Sequence, residues 1–414
     1  MSIIASNPEL RQSGFEKITW ARDHMPLLDA VGARLKESRA VKGKTIAMSI
    51  HLEAKTANLA LTLHRAGASV FATGSNPLST QDDVCAALAS EGVEVFARHG
   101  ASAEEYTAHL KAALSSYPDI IIDDGGDLVE LIEDHGIGRA DRFIGGCEET
   151  TTGVLRLKAR TRQDRLSFPM YNVNDAMCKH LFDNRYGTGQ SVWDAILRTT
   201  NLNVAGSVVV VAGYGWCGKG VSMRAKGLGA RVIVTEVDPV AAIEAVMDGF
   251  TVMPMAQAAP QGDFFITVTG CRDVIGPRVF SLLKDGAVLA NAGHFDVEVE
   301  ARLLRESAVR SWKARENIEG FEMPSGKKHY LLAEGRLVNL AAGNGHPVEI
   351  MDMSFALQAL CVESLAQCGR GLTAGVHPVP AEIDRWVALR KLKSLGVDID
   401  EWTDEQRQYV MGES

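Results

Sequence analysis

The sequence predicts an α/β protein with two doubly wound domains, whose sheets are mostly parallel, and a short C-terminal helical tail. The length of 414 residues suits two or three domains of about 100 to 200 residues each. Short apolar runs alternate with helical patterns in the first half of the chain, which is typical of a parallel sheet. A second series of apolar runs follows in the second half, so we expect a second sheet of the same kind.

Each predicted element follows from its local pattern. The first series predicts strands at residues 45–52, 68–73, 93–97, 120–122 and 169–173. Between the first two runs, leucines at helical spacing end at Gly67, a normal helix stop that completes a β-α-β unit. The second series predicts strands at 207–212, 231–235, 264–268 and 287–290. From Pro378 onwards apolar residues return at helical spacing, so we expect a helical tail that contacts another subunit.

Composition and charge exclude several classes of protein. Hydrophobic residues make up 46% and charged residues 23% of the chain, as in globular proteins rather than disordered ones. The net charge of −9 without a basic block argues against a nucleic-acid partner and favours a small molecule. Seven scattered cysteines without a C-x-x-C pair indicate reduced thiols in a cytosol. No apolar run reaches the roughly 18 residues of a membrane span, and the start does not resemble a signal peptide, so we expect a soluble, cytoplasmic protein.

A glycine-rich turn follows the first strand of the second series. The segment SVVVVAGYGWCGKG places Gly213, Gly215 and Gly218 in a G-x-G-x-x-G pattern. In a Rossmann-like dinucleotide site the first glycine makes the tight turn, the second lets the backbone approach a pyrophosphate and the third lets helix and strand pack. The next strand ends in Glu236, an acid that accepts ribose hydroxyls and repels a 2′-phosphate. The pattern therefore favours NAD over NADP.

Ten motifs in order along the chain resemble one family, the adenosylhomocysteinases or S-adenosylhomocysteine hydrolases. They are SIHLEAKTA, SNPLSTQDD, IIDDGGD, EETTTGV, NVND, KHLFDNRYGTGQS, VAGYGWCGKG, NAGHFDVE, LLAEGRLVNL and GHP. The chain is similar to the short archaeal and Thermotoga-like type, which lacks the C-terminal extension that reaches a neighbouring subunit's NAD. Looser NAD binding is one expectation from this difference.

The resemblance implies a domain organisation. A substrate-binding and catalytic domain is expected at residues 1–184 and 346–380, and a Rossmann NAD-binding domain at 185–345. Residues 381–414 are expected to form the C-terminal helical oligomerisation tail. The family implies a homotetramer.

The family's chemistry explains why a hydrolase needs NAD. A ketone at C3′ of the nucleoside makes the C4′ proton acidic, which permits elimination of homocysteine. Water then adds to the 4′,5′-alkene, and the ketone is reduced again, so the net redox change is zero. The resemblance implies hydrolysis, reversibly synthesis, of S-adenosyl-L-homocysteine or S-inosyl-L-homocysteine, which removes an inhibitor of methyltransferases in the methyl cycle of one-carbon metabolism.

The resemblance also assigns roles to residues of this chain. Lys179 takes the 3′-hydroxyl proton beside Asp183 and Asn184, and its spacing of four from Asp183 places both on one helix face. Asp124 is the C4′ base and follows a predicted strand, where α/β sheets hold ligands. The remaining assignments are Glu149 and Thr150 at the ribose hydroxyls, His51 and His294 near C5′, His346 at the purine edge, Thr56 and Met351 in the substrate site, and Thr151, Thr152 and Asn339 along NAD. No metal is expected. Three of these assignments have a purely structural alternative. These alternatives are a solvated turn acid for Asp124, a helix cap for EETTTG and an exposed ion pair for Lys179.

Some residues depart from the family's pattern. Lys55 stands where many members have Glu or Gln, and because lysine is donor-only it suits a 6-oxo group better than the 6-amino group of adenine. The alternative is that Lys55 points to solvent and adenine is still accepted. Cys147 replaces a common Ser, and Ala176 and Cys178 replace polar residues before Lys179, so we expect them to alter the site near C5′.

Two other functions remain open at this stage. A nucleoside 4′,5′-dehydratase would use the same oxidation and elimination with a different leaving group. A catalytically inactive, NAD-responsive binding protein is the third interpretation, but the presence of the whole acid-base set counts against it.

Overall fold

The computed structural model describes residues 7–412, and the first half of these residues builds a parallel sheet. Its strands are β1 (Thr45–Ser49), β2 (Ser69–Thr73), β3 (Glu94–Phe96), β4 (Ile120–Asp123), β5 (Gly145–Glu148), β6 (Pro169–Asn172) and β15 (Gly375–Pro378). Their spatial order is β15-β6-β5-β4-β1-β2-β3. The last strand comes from late in the chain and pairs with β6, so the chain returns to this sheet after building the second one.

The second sheet is parallel at its centre and antiparallel at one side. Its strands are β7 (Val208–Ala212), β8 (Arg231–Thr235), β9 (Thr251–Val252), β10 (Phe264–Thr267), β11 (Ala287–Asn291), β12 (Arg310–Arg315), β13 (Ile318–Glu322) and β14 (Lys328–Leu332). Their order is β12-β13-β14-β11-β10-β7-β8-β9, and β12 to β14 form an antiparallel meander. The sequence did not predict this meander.

The helices connect the strands in both halves. In the first half they are α1 (Pro8–Asp23), α2 (Pro26–Ser38), α3 (Ala54–Arg65), α4 (Asp82–Ser90), α5 (Ala103–Leu114), α6 (Asp127–His135), α7 (Thr151–Arg162), α8 (Met177–Lys179) and α9 (Thr188–Thr200). In the second half they are α10 (Trp216–Gly227), α11 (Pro239–Met247), α12 (Met255–Ala258), α13 (Pro277–Phe280), α14 (Ala301–Ser307) and α15 (Val338–Ala341). The last three are α16 (Val348–Cys368), α17 (Ala381–Ser394) and α18 (Asp404–Met411). Short 3-10 turns occur at Ala333–Gly335 and Gly369–Gly371.

Both sheets are covered on two faces, which confirms the predicted doubly wound class. In β1, Ile46 and Met48 belong to one core, whereas Ala47 belongs to another core on the opposite face. In β7, Val209 and Val211 belong to one core, and Val208 and Val210 to a second. Successive side chains of a strand point to opposite faces, so burial of every position requires helices on both sides.

Strand β5 was missed because its sequence, GGCE, has low strand propensity. The glycines are needed for close packing: a Cβ on Gly145 would lie 2.2 Å from the Pro169 carbonyl oxygen, and one on Gly146 would lie 2.4 Å from a side-chain carbon of Ile121. The two glycines, which lower the strand propensity of this segment, therefore allow β5 to fit between β4 and β6.

The predicted helical tail is present, but its first helix packs within this chain. Ile383 and Val387 of α17 are buried in the core of the first half, where α17 contacts α2, α8 and α16. Helix α18 has no buried residue. The ends of the expected domains, at residues 1–6 and 413–414, lie outside the described residues. Within the described part of the chain, no helix is long and apolar enough to cross a membrane. The seven cysteines are free thiols.

Candidate functional site

A cavity of about 850 Å³ lies between the two halves and receives residues from both. It lies at the carboxyl ends of β1, β4 and β5 in one sheet and of β7 and β8 in the other. The sequence-predicted residues on its wall are His51, Lys55, Thr56, Asp124, Glu149, Thr150, Thr151, Thr152, Lys179, Asp183, Asn184, Gly213, Gly215, Glu236, His294, Asn339, His346 and Met351. Among the predicted residues, Gly218 lies behind the wall.

Lys179 is at the centre of a buried charge cluster. It is 4% exposed, and its Nζ lies 2.8 Å from Asn184 Oδ1, 3.4 Å from Asp183 Oδ2 and 3.5 Å from Glu149 Oε1. Burial lowers the pKa of Lys179, but the adjacent carboxylates of Asp183 and Glu149 outweigh it and raise the pKa above its usual value. The exposed ion pair considered for Lys179 is therefore wrong.

The two carboxyls beside Lys179 differ in their surroundings. Burial raises the pKa of Asp183, but Lys179, His346 and Ser354 together hold that pKa well below its usual value. Burial raises the pKa of Glu149 to about 7 despite Lys179. At neutral pH, Asp183 is the fixed anion of the cluster, whereas Glu149 is poised between its two protonation states.

The helix that carries Lys179, Asp183 and Asn184 has an irregular centre. After α8, residues His180–Gly187 form a π-helix that continues into α9. The sequence pattern predicts an ordinary helix here. Such π-bulges occur often at functional sites, and in this one Asp183 and Asn184 both lie close to the Lys179 amine.

Asp124 lies between two histidines at the end of β4. Its Oδ2 is 3.5 Å from His51 Nε2, and its Oδ1 is 3.9 Å from His294 Nδ1. Ser75 donates a hydrogen bond to Oδ2 at 2.8 Å, but Oδ1 is buried without a hydrogen-bond partner in the described residues. Asp124 is 2% exposed, so the solvated turn acid is wrong, and its unpaired oxygen is available to a ligand.

The histidines are held from outside the cavity. His51 Nδ1 lies 2.6 Å from Ser79 Oγ, and burial lowers the pKa of His51. The loop that carries His294 is tied by Asn291, which donates to the Phe295 carbonyl at 2.9 Å. The rings of His51 and His294 are 6.0 Å apart.

Thr150 has the capping role that the sequence left open. Its hydroxyl accepts from the Gly153 amide at 3.1 Å and donates to Glu148 Oε1 at 2.9 Å. Because its hydrogen is used within the protein, a ligand finds only an acceptor there. Glu149 is not part of the cap, and its side chain reaches both Lys179 and Gln358.

Lys55 is buried rather than directed to solvent, so the exposed alternative is wrong. It is 6% exposed, and its Nζ donates to the Asn344 carbonyl at 3.0 Å and pairs with Glu53 Oε2 at 3.0 Å. An ammonium has three donors, so one is left for a ligand. Next to it, Thr56 is engaged by donating to the His51 carbonyl at 2.6 Å.

His346 lines the cavity and contacts the charge cluster. Its Nδ1 is 2.8 Å from Asp183 Oδ1, and its Nε2 is 3.2 Å from Thr188 Oγ1. Both ring nitrogens are therefore engaged by the protein. Met351 is half-buried on the cavity wall.

The three glycines of the turn have the surroundings that their roles require. Gly213 has φ +101°, and a Cβ on Gly218 would lie 2.0 Å from the Gly213 carbonyl oxygen. Gly215 has no atom within 4 Å of an added Cβ, so its backbone faces open space in the cavity. Glu236 is fixed there by accepting from the Tyr214 amide at 2.6 Å.

Asn339 and Thr151 complete this side of the cavity. Asn339 donates to Ser191 at 3.0 Å, but its Oδ1 is buried without a partner in the described residues. Thr151 donates to Asn174 Oδ1 at 3.1 Å, and Thr152 follows it in the first turn of α7. The unpaired oxygen of Asn339, the open space at Gly215 and the fixed carboxylate of Glu236 together fit a dinucleotide.

Sequence reasoning missed the polar residues of α16 that hold the cluster. Ser354 donates to Asp183 Oδ2 at 2.6 Å, and Gln358 donates to Glu149. Both are fully buried among the apolar residues of this helix. A buried polar side chain needs a hydrogen-bond partner. Polar residues at positions of α16 that face the core were therefore the feature of the sequence that could have pointed to these contacts.

The unusual residues near the site face away from the cavity, so the expected change near C5′ is wrong. Cys147 is fully buried in the core of the first half, and Cys178 contacts the Asp384 carbonyl at 3.4 Å. Ala176 lies on the wall of a separate cleft. None of the three lines the cavity among the described residues.

Comparison with known proteins identifies the class to which this fold and site belong. Residues 4–142 match the family model described as S-adenosyl-L-homocysteine hydrolase, and residues 184–345 match its NAD binding domain. The chain belongs to the S-adenosyl-L-homocysteine hydrolase family, which confirms both the resemblance and the expectation of NAD.

Individual relatives carry two different names. The chain is 56% identical to an adenosylhomocysteinase of Thermotoga maritima, over 96% of this chain and 98% of the relative. It is 54% identical to an S-inosyl-L-homocysteine hydrolase of Methanopyrus kandleri, over 98% and 96%. It is also 54% identical to an S-inosyl-L-homocysteine hydrolase of Methanocaldococcus jannaschii, over 97% and 96%. The similarity thus covers both purine types.

Proposed function

We propose that this chain hydrolyses, reversibly, the thioether of an S-nucleosyl-L-homocysteine by oxidation at C3′ and elimination across C4′ and C5′. The observation that carries the proposal is the convergence of Lys179, Asp124 and two histidines on one cavity that also contains the glycine turn. A simple binding site has no need of four separate proton-transfer groups. The two alternatives considered from the sequence, a nucleoside dehydratase and an inactive NAD-responsive binding protein, gain no support from the structure or the relatives.

NAD supplies reversible oxidation of the C3′ hydroxyl when it is bound. We assign its ribose hydroxyls to Glu236, its pyrophosphate to the turn around Gly215, and a polar group to the unpaired Oδ1 of Asn339. Thr151 and Thr152 line the same cavity and are assigned to NAD as well. The carboxylate of Glu236 would repel a 2′-phosphate, so NAD is preferred to NADP.

Lys179 is the group that takes the proton of the 3′-hydroxyl. Its raised pKa keeps the amine protonated, and a protonated amine must lose its proton before it can accept another. Glu149 lies 3.5 Å away, and its pKa is raised to about 7, so it is a better acceptor of the lysine's proton than the strongly acidic Asp183. The neutral amine then acts as the general base, while Asn184 holds it in place.

Asp124 removes the C4′ proton. The unpaired Oδ1 of this buried carboxylate is free for contact with substrate, because Ser75 occupies the other oxygen. His51 and His294 border the same carboxylate, so protons for the leaving thiol and the entering water are carried beside the carbon that reacts. His51 is neutral at neutral pH because burial lowers its pKa, and it can accept a proton from water.

Glu149 and Lys55 are assigned to recognition of the substrate. After it has taken the lysine's proton, Glu149 still has an acceptor oxygen for the ribose diol, and Thr150 offers a further acceptor. We assign the third N–H of Lys55 to a purine oxygen at C6, which favours the inosyl substrate over the adenosyl one. His346 binds Asp183 and is better described as support for the cluster than as a purine ligand.

Assembly and location are part of the same proposal. We propose a homotetramer, supported by the family and by the exposed apolar residues of the last segment, such as Trp402 and Tyr409. The free cysteines support a cytoplasmic location. No nucleic acid or membrane partner is proposed.

The test is turnover of NAD-loaded protein with S-adenosyl-L-homocysteine and S-inosyl-L-homocysteine in parallel, with thiol release and nucleoside mass as readouts. We expect both to react and the inosyl substrate to have the higher kcat/KM. In Lys55→Gln, whose amide oxygen can accept from a 6-amino group, the preference should shift towards the adenosyl substrate. No thiol from either substrate would overturn the function, and an unchanged preference in Lys55→Gln would overturn the role of Lys55.

A further inference from the structure

The helix that carries Lys179 lacks a cap from its own sequence. Helix α8 begins at Met177, and the preceding residue, Ala176, has no side-chain oxygen. The first N–H groups of a helix have no intrahelical acceptor, and a Ser, Thr, Asp or Asn at this place normally provides one. Because Lys179 is the third residue of the helix, the position of its amine depends on how this start is held.

Asp384 provides the missing acceptors from the other end of the chain. Its Oδ2 accepts from the Met177 amide at 2.7 Å, and its Oδ1 accepts from the Cys178 amide at 2.8 Å. The next two amides, of Lys179 and His180, both reach the Ala176 carbonyl at 3.0 Å. Four amides are thus satisfied, two of them by one carboxylate, whose negative charge is also favourable at a helix N-terminus.

The Asp384 carboxylate is fixed by the packing of α17. Its neighbours Ile383 and Val387 are buried in the core of the first half. The ring of Trp386 contacts the guanidinium groups of Arg34, at 5.7 Å, and Arg390, at 5.2 Å. The strand before this helix, β15, pairs with β6, the strand that leads into α8. The acceptors are therefore placed by the same returning segment that completes the sheet.

We propose that Asp384 is a positioning residue for Lys179: by capping α8 it holds the lysine amine at Asn184 and Glu149 and so sets the rate of 3′-oxidation. The inference rests on the proposed function. Asp384 does not line the cavity and has no contact with substrate or cofactor, so its effect passes through the helix. A misplacement of about 1 Å in a catalytic group can cost about 100-fold in rate, which is the scale of effect available to such a residue.

The chain contains a matched control for a remote cap. Asp352 of α16 accepts from the amides of Leu27 and Leu28, at 3.1 and 2.9 Å, at the start of α2. That helix also begins without a side-chain cap of its own. Neither Leu27 nor Leu28 lines the cavity. Removal of Asp352 therefore has the structural cost of a lost cap without displacing Lys179.

The experiment compares Asp384→Ala, Asp352→Ala and the double variant Asp384→Ala/Ala176→Ser, each loaded with NAD. Serine at 176 returns a local cap, and Ala176 borders a cleft of about 700 Å³ that gives the added hydroxyl room. On mixing with inosine or adenosine, the first-order rate of nicotinamide reduction is followed by its near-ultraviolet absorbance. Melting temperature and NAD affinity are measured on the same samples.

We expect nicotinamide reduction at least about tenfold slower in Asp384→Ala, with unchanged NAD affinity, a rate near wild type in Asp352→Ala, and most of the rate restored in the double variant. Equal rates in Asp384→Ala and Asp352→Ala would overturn the inference, as would a stable double variant that stays slow. If the wild-type protein itself reduces no nicotinamide with either nucleoside, the proposed function fails instead.

Discussion

The two walls of the cavity recognise their ligands by different means. On the substrate side, charged side chains are buried in close contact with one another: Lys179 lies 3.4 Å from Asp183, and Asp124 lies 3.5 Å from His51. On the cofactor side, the turn from Gly213 to Gly218 offers backbone and open space. The first arrangement depends on residues from distant parts of the chain, whereas the second is encoded in one short segment. The contrast predicts which substitutions abolish chemistry and which abolish cofactor binding.

The largest effect is expected for Lys179→Ala. Without the amine, no group of the cluster takes the 3′-hydroxyl proton, and loss of a general base costs about 100-fold to 10,000-fold. NAD should still bind, because the glycine turn is untouched. Turnover and NAD affinity measured on the same protein test this separation.

Lys158→Ala is the control, because that lysine pairs with Asp175 at 3.2 Å in an exposed ion pair. Its turnover should equal that of the wild type. Unchanged turnover in Lys179→Ala would refute the assigned role of Lys179.

The second-largest effect is expected for cofactor binding, on the side of the cavity that carries the glycine turn. Gly218→Ala places a Cβ 2.0 Å from the Gly213 carbonyl oxygen, so the turn must shift, and overpacking of this kind typically costs about 1 to 3 kcal/mol. We expect NAD affinity to fall at least about tenfold, which corresponds to about 1.4 kcal/mol. Titration of cofactor-free protein with NAD measures it.

Gly227→Ala in the same helix is the matched control, since an added Cβ there meets nothing within 4 Å. It should bind NAD like the wild type. Equal affinities in the two variants would show that the turn is more tolerant than its geometry indicates.

A smaller effect is expected from the hydrogen bond that holds Asp183 on the substrate side of the cavity. Ser354→Ala removes the hydrogen bond to the buried Asp183 carboxylate, and an unsatisfied buried group costs about 1 to 3 kcal/mol. We expect about a tenfold loss of kcat, the equivalent of about 1.4 kcal/mol, with little change in NAD affinity.

Ser364→Ala on the same helix serves as its control, because Ser364 contacts the Tyr171 hydroxyl rather than the cluster. A kcat loss of equal size in both variants would contradict a specific role for Ser354.

The smallest effect concerns pH and stability. Burial raises the pKa of Asp123 to about 7 and that of Glu149 to about 7, so these two carboxyls bind more protons in the folded protein than in the unfolded chain between about pH 4 and pH 7. The free energy of unfolding should therefore decrease as the pH rises through this window. Melting temperatures of NAD-free protein should fall accordingly, with a weaker slope in Asp123→Asn. An equal slope in Asp123→Asn and in the wild type would contradict the raised pKa of Asp123.

Much of the molecule could be predicted from local patterns. The strands rich in Val and Ile and the three roles of the glycine turn depend on residues close in sequence, and they were predicted. The residues that surround the charged cluster were not. Ser354 and Asp384 meet α8 and the π-helix only after the chain has returned from the second sheet, and no local pattern encodes that return. The strand β5 was missed because its glycines serve close packing rather than strand propensity.

The central claim is that thioether cleavage depends on an acidic C4′ proton made available by oxidation at C3′. The most direct test is to incubate NAD-loaded protein with S-adenosyl-L-homocysteine in deuterated water and to locate deuterium in the recovered nucleosides by mass spectrometry and NMR. The account predicts deuterium at C4′ together with thiol release, and neither in Lys179→Ala. Thiol release by the wild-type protein without any deuterium at C4′ would contradict it.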